Sequence, residues 1–187
     1  MDAFSYLSVL LSIIIGLGMT QVLTAVGRVI RHRDRVAMYW LPVLWAAVML
    51  VVFVQVWWSS FGLRQYGDWT FVGFLLLLGQ TCTLYMMSAV ILPDQVDETR
   101  VDLAAHYQRQ HQWFFSFLVA TLVLSLLKDR VINGRWPSGV NLGFHIFLGA
   151  LALSAIFVRQ RRYQEIVGGA GAAAIAVYIW LLFMRLR

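Results

Sequence analysis

Charge is what this chain has least of. Fifteen Lys and Arg and nine Asp and Glu make up 13% of its 187 residues, against 60% hydrophobic. Soluble domains are nearer half apolar and a quarter charged. The scarcity is segmental. No Asp, Glu, Lys or Arg occurs in 3–27, 36–63, 69–93, 110–127, 136–158 or 166–184. A hydrocarbon core of roughly 30 Å takes about 20 apolar residues at about 1.5 Å of rise each. The pattern predicts an all-α polytopic membrane bundle, one domain over 1–187. Its six transmembrane helices fall at about 4–28, 38–61, 70–92, 112–128, 140–158 and 165–185. The fourth and sixth windows are the shortest, so five spans is the competing count.

Other absences narrow the function. There is one cysteine, Cys82, which excludes an intrachain disulfide and a cysteine-rich metal site. No phosphate loop, nucleophile elbow or zinc motif occurs, and no cofactor is implied. No carboxylate, Lys or Arg lies deep in a window, which argues against a proton pump built on an intramembrane ionisable relay. Alternating apolar and polar strands, the mark of a membrane barrel, are missing from runs such as SVLLSIII. The first window lacks a basic leader and carries Asp2 before it, so it reads as a span rather than a removable signal peptide. The net charge of +6 is scattered among connections. It forms no basic reading surface, so nucleic acid is not an expected partner.

Those connection charges suggest an orientation. Arg28, Arg31, Arg33 and Arg35 cluster after the first window. Cations beside spans favour the cytoplasm, which puts the 31–35 loop inside and the N-terminus outside. Nine cations then lie inside and six outside. The longest connection, 93–112, is expected to hold a cytoplasmic helix at about 97–111, with Thr99 and Asp102 resembling a capping pair.

What the windows contain besides apolar groups is a few polar ones. Gln21, Gln55 and Gln80 fall one to each of the first three spans, and Thr81 and Thr83 flank Cys82. An amide left unpaired in hydrocarbon costs several kcal/mol, so these groups face protein or water. They either fix helix rotation through interhelical bonds or line a polar path. Gln21 and Gln55 belong at opposite depths and do not meet. His145 in the fifth span reads as an imidazole bonded within the bundle, since the other histidines lie elsewhere. Lys128, Asp129 and Arg130 read as snorkelling and local pairing at the outer end of the fourth span, with an anionic headgroup or solute as the alternative partner. Gln21, Gln55, Gln80, Thr81, Thr83 and His145 are the candidate binding residues; no catalytic or metal set stands out.

Small residues set the packing expectation. Ser5, Ser8, Ser12, Gly16, Thr20 and Gly27 share one broad face of the first span, and GGAGAAAIA (168–176) runs through the sixth. Membrane helices associate through close contact at such residues, so both stripes are expected to pack against neighbours.

The run FSYLSVLLSIIIGLGMTQVL (4–23), with VQVWW, DWTF and LYMMSAVILPD further on, resembles a set of small uncharacterised bacterial inner-membrane proteins. The resemblance covers roughly the first half of the chain. It implies a bacterial inner-membrane location and assigns no activity and no functional residue. The functional expectation is therefore small-solute or lipid binding or transport through a bundle with buried Gln and Thr groups. The alternative is a non-enzymatic scaffold, sensor or assembly subunit. Membrane lipid is the expected partner, with a further copy of the chain or another membrane protein left open.

Overall fold

The computed structural model describes residues 3–65, 67–95 and 100–182. Six helices carry it: α1 (Ala3–Arg31), α2 (Trp40–Ser60), α3 (Phe71–Ile91), α4 (Leu103–Asn133), α5 (Gly139–Phe157) and α6 (Arg161–Leu182). Short 3-10 turns cover Arg33–Arg35 and Phe61–Gln65. Two residues, β1 (Val36–Ala37), pair in parallel with β2 (Val101–Asp102).

Among the described residues, five helices are long and apolar enough to cross a membrane: α1, α2 with its 3-10 extension, α3, α5 and α6. The expected fourth span, 112–128, lies inside α4, which is 31 residues long but is not among the five. The physical reason is its composition. Its first ten residues are mostly polar, and Lys128, Asp129 and Arg130 sit near its end.

Helix ends follow local chemistry. Asp102 accepts hydrogen bonds from the backbone N–H groups of Ala104 (2.8 Å) and Ala105 (3.3 Å), filling donors that the first turn leaves open. The helix of the long connection runs from Leu103, within the expected 97–111, and Thr99 lies outside the described residues. The same helix then runs unbroken through the expected connection and span. It stops at Gly134, whose φ of 69° is left-handed, a conformation that costs glycine no Cβ clash.

The chain runs up and down, so two ends can be named. The proximal end holds 32–39, 92–95, 100–102 and 158–160. The distal end holds 61–65, 67–70 and 134–138. Helices α2 to α6 close a ring in chain order, α6 returning to α2, while α1 packs outside against α2 and α3. Leu11, Ile15, Val22, Ala25 and Val29 form the buried stripe of α1. Gly18 falls on the same stripe, where a Cβ would collide with the Phe53 ring.

The small residues divide differently from expectation. On α1, Ser5, Ser12, Gly16 and Thr20 are exposed, and nothing lies within 4 Å of where a Gly16 Cβ would sit. The larger aliphatic stripe makes the contacts instead, because it matches the α2 and α3 surface. On α6 the glycines do pack. A Cβ on Gly168 would collide with Leu41, and one on Gly171 would stand 3.1 Å from the Trp45 ring. These two positions draw α2 and α6 together near the proximal end.

Candidate functional site

Inside the ring of α2 to α6 lies a cavity of about 320 Å³, within the range of roughly 300–1,000 Å³ usual for small-molecule sites. Its lining changes along the bundle axis. Trp45, Met49, Leu84, Met87 and Leu118 make the deep part apolar. Ser125, Lys128, Asp129, Asn133, Asn141 and Tyr178 make the distal part polar.

Several of the distal groups are held in place by neighbours. Lys128 Nζ stands 3.9 Å from Asp129 Oδ1, and both side chains are about one-fifth exposed (18% and 21%). Tyr178 on α6 donates its hydroxyl to Asn141 Oδ1 on α5 at 3.1 Å. His145 Nδ1 is 2.9 Å from the Asn141 carbonyl, and Nε2 is 3.2 Å from Ser125 Oγ on α4. A ring nitrogen facing a carbonyl oxygen must donate, so Nδ1 carries the proton and Nε2 accepts from the Ser125 hydroxyl. The rim continues past Asp129, Asn133 and Asn141 to Arg135 and Trp136.

Gln80 lines the cavity about one helical turn deeper than Lys128. Thr83 Oγ1 meets Thr121 Oγ1 across α3 and α4 at 2.8 Å, and Leu124 packs on Gly79. Those contacts place Gln80 near the level of residue 124, four residues or about 6 Å below Lys128. Gln80 is 7% exposed, and its Oε1 is buried with no hydrogen-bond partner among the described residues.

The six expected binding residues therefore separate. Gln55, Gln80 and His145 line the cavity. Thr83 stands behind it, bonded to Thr121 and to the Gln80 carbonyl (2.8 Å). Thr81 turns its hydroxyl to the Leu78 carbonyl at 2.8 Å. Gln21 sits at the proximal end, donating to Asp94 Oδ1 at 2.9 Å. Arg28, seven residues on and so on the same face of α1, donates to the Pro93 carbonyl at 3.3 Å. Gln21 and Arg28 fasten α1 to the chain leaving α3. Cys82 is exposed. The four polar residues 80–83 thus serve four different surroundings: a cavity, their own helix, the outside and a neighbouring helix.

Asn141 and Tyr178 escaped the sequence reading. Both sit at span ends, where polar and amphipathic residues are ordinary. Lys128 and Asp129 were legible as a pair but not as cavity lining. Asn141 and His145 stand four apart on one helix face, a spacing that signals a shared environment.

The proximal end is closed. Trp45 packs against Phe114 (ring centroids 5.0 Å apart) and Phe115 (5.8 Å) beneath the cavity. Below them Tyr107 on α4 donates to Gln164 Oε1 on α6 at 2.9 Å. Gln164 Nε2 in turn donates to the Ala155 carbonyl at 2.8 Å and the Val158 carbonyl at 2.6 Å. Tyr39 donates to Glu165 Oε1 at 3.2 Å, and Arg161 lies over the Tyr39 ring at 4.7 Å. Burial pushes the Tyr107 phenol above its usual range, with Tyr39 adding to the shift, so it remains a donor.

The fold and cavity define a class: a bundle of long helices, five of them fit to cross a membrane, around a cavity closed at one end. No protein-family model matches the chain, and no curated protein or solved structure matches it either.

Proposed function

We propose that the protein binds a small single-chain amphiphile in this cavity and takes part in its passage across the membrane. The gradation of the lining carries the reading. An apolar tail fits against Met49, Leu84, Met87 and Leu118, and a polar head fits at Lys128, Asn141 and Tyr178. The mouth and rim hold two cations, Lys128 and Arg135, against one anion, Asp129. That imbalance favours an anionic head, such as a carboxylate.

In this reading the apolar stretch of α4 is the sixth span, and the membrane is a bacterial inner membrane. The arginine-rich proximal end faces the cytoplasm, in line with the preference of Lys and Arg for that side. The cavity then opens away from the cytoplasm, and the Trp45 and Tyr107 layers form its floor.

The test is binding of decanoate to purified protein in lipid nanodiscs, read by native mass spectrometry, followed by uptake into proteoliposomes. Saturable binding that weakens in Lys128→Met and Asn141→Leu supports the proposal. Binding unchanged by both substitutions, or no binding, refutes it.

A further inference from the structure

The cavity holds one feature that a plain hydrocarbon tail does not answer. Gln80 lines its apolar depth, about 6 Å below the charged mouth, and its Oε1 has no hydrogen-bond partner among the described residues. A buried carboxamide with an unmet acceptor is costly, roughly 1–3 kcal/mol. The neighbouring polar groups are already engaged. Thr83 and Thr121 lie 2.8 Å apart, and each hydroxyl is also within hydrogen-bond distance of a carbonyl of its own helix, so their two protons are already taken up. Thr81 bonds back to α3. Gln80 and Trp45, whose Nε1 also has no partner among the described residues, are the deep lining residues left with unmet polarity, and of the two only Gln80 carries both a donor and an acceptor.

We infer that the ligand is a hydroxylated amphiphile, its hydroxyl set inside the chain about one helical turn from the head and read by the Gln80 carboxamide. A hydroxyl is the group of choice because it both donates and accepts. It satisfies the amide whichever of its two ends faces the chain, and the orientation of an amide is assigned from its partners rather than seen. A site built to bond a hydroxyl also rejects the analogue that lacks it, because the site's own polar group is then left unpaired. This inference rests on the amphiphile reading of the cavity and makes Gln80 its specificity-determining residue.

The experiment compares three ten-carbon probes in nanodiscs: decanoate, decanoate hydroxylated at its sixth carbon, and decanoate hydroxylated at its second. Dissociation constants are measured for the wild-type chain, Gln80→Leu, Gln80→Met and a Thr81→Ala control. Ratios between variants cancel each probe's own partitioning into lipid. The expected result is a preference for the sixth-carbon hydroxyl over decanoate in the wild-type chain. That preference falls roughly tenfold in Gln80→Leu and in Gln80→Met, the scale of one buried hydrogen bond. Thr81→Ala leaves it intact, and the second-carbon isomer behaves like decanoate. If all three probes bind and the Gln80 variants leave their ratios unchanged, the hydroxyl inference is wrong while the amphiphile site stands. If no probe binds the wild-type chain, both fall together.

Discussion

Tyr107 and Gln164, 57 residues apart, join α4 to α6 through a buried hydrogen bond of 2.9 Å. Gln164 accepts that bond at Oε1 and donates from Nε2 to two carbonyls at the end of α5. One glutamine thus ties three helices together below the cavity.

Removing that glutamine leaves a buried phenol and two buried carbonyls short of partners. Gln164→Leu is expected to destabilise the folded chain by about 1–3 kcal/mol, and Tyr107→Phe by about 1 kcal/mol. The double variant should cost less than the sum of the two, because they share one bond. Denaturation in a mixed detergent series measures all three.

Gly168 admits Leu41 where a Cβ would collide with it. Gly168→Val forces α2 and α6 apart at the floor of the cavity, with an expected cost of about 1–3 kcal/mol for overpacking. Gly16→Val, on the exposed face of α1, is expected to leave the monomer's stability unchanged. Thermal unfolding of both variants, side by side, checks the contrast.

His106 and His111 lie in the first, polar part of α4. Burial holds each below its usual value of 6.5, while hydrogen bonds donated to the Val90 and Gln108 carbonyls respectively pull the other way. The unfolded chain therefore takes up protons first as pH falls. Stability is unaffected above about 6.5 and declines as pH drops through that value toward the lower folded pKa values, where the decline ends. His106→Gln keeps a donor for the Val90 carbonyl, which lies 3.1 Å from His106 Nε2. It should flatten part of this slope, measured as unfolding midpoint against pH between 7.5 and about 5.

Asp94 receives Gln21 at 2.9 Å and lies 3.9 Å from Arg28, yet its side chain is 65% exposed. Exposed pairs of this kind contribute about 0–1 kcal/mol. Asp94→Asn is expected to stay within that range, whereas Arg28→Ala should cost somewhat more because it also releases the Pro93 carbonyl. Urea or detergent unfolding of the two variants gives the ordering.

Much of this arrangement was legible in the chain, and the reasons differ by residue. The helices follow from unbroken charge-free windows, which composition alone reveals. The burial of Gln80 follows from the cost of an amide in hydrocarbon, and Gly168 and Gly171 from the need for close backbone approach. The outward turn of Ser12, Gly16 and Thr20 was not legible. A helix with both a small-residue stripe and an aliphatic stripe can pack on either, and the shape of α2 and α3 decides. The cavity was hidden for a similar reason. Asn141 and Tyr178 meet only because α5 and α6 are antiparallel in space, and their local sequence looks like any membrane boundary. The meeting of Gln21 with Asp94 was likewise invisible, since 73 residues separate them.

The most direct test of the central claim is thiol labelling at the cavity mouth. Asn133→Cys is placed in a Cys82→Ala background, with Gly67→Cys as a surface control, and the protein is labelled in nanodiscs with a polar maleimide. A ligand-binding cavity predicts that residue 133 reacts and that saturating decanoate slows it at least severalfold while residue 67 is unaffected. Labelling of residue 133 that decanoate leaves unchanged would contradict the claim that the bundle encloses an amphiphile site.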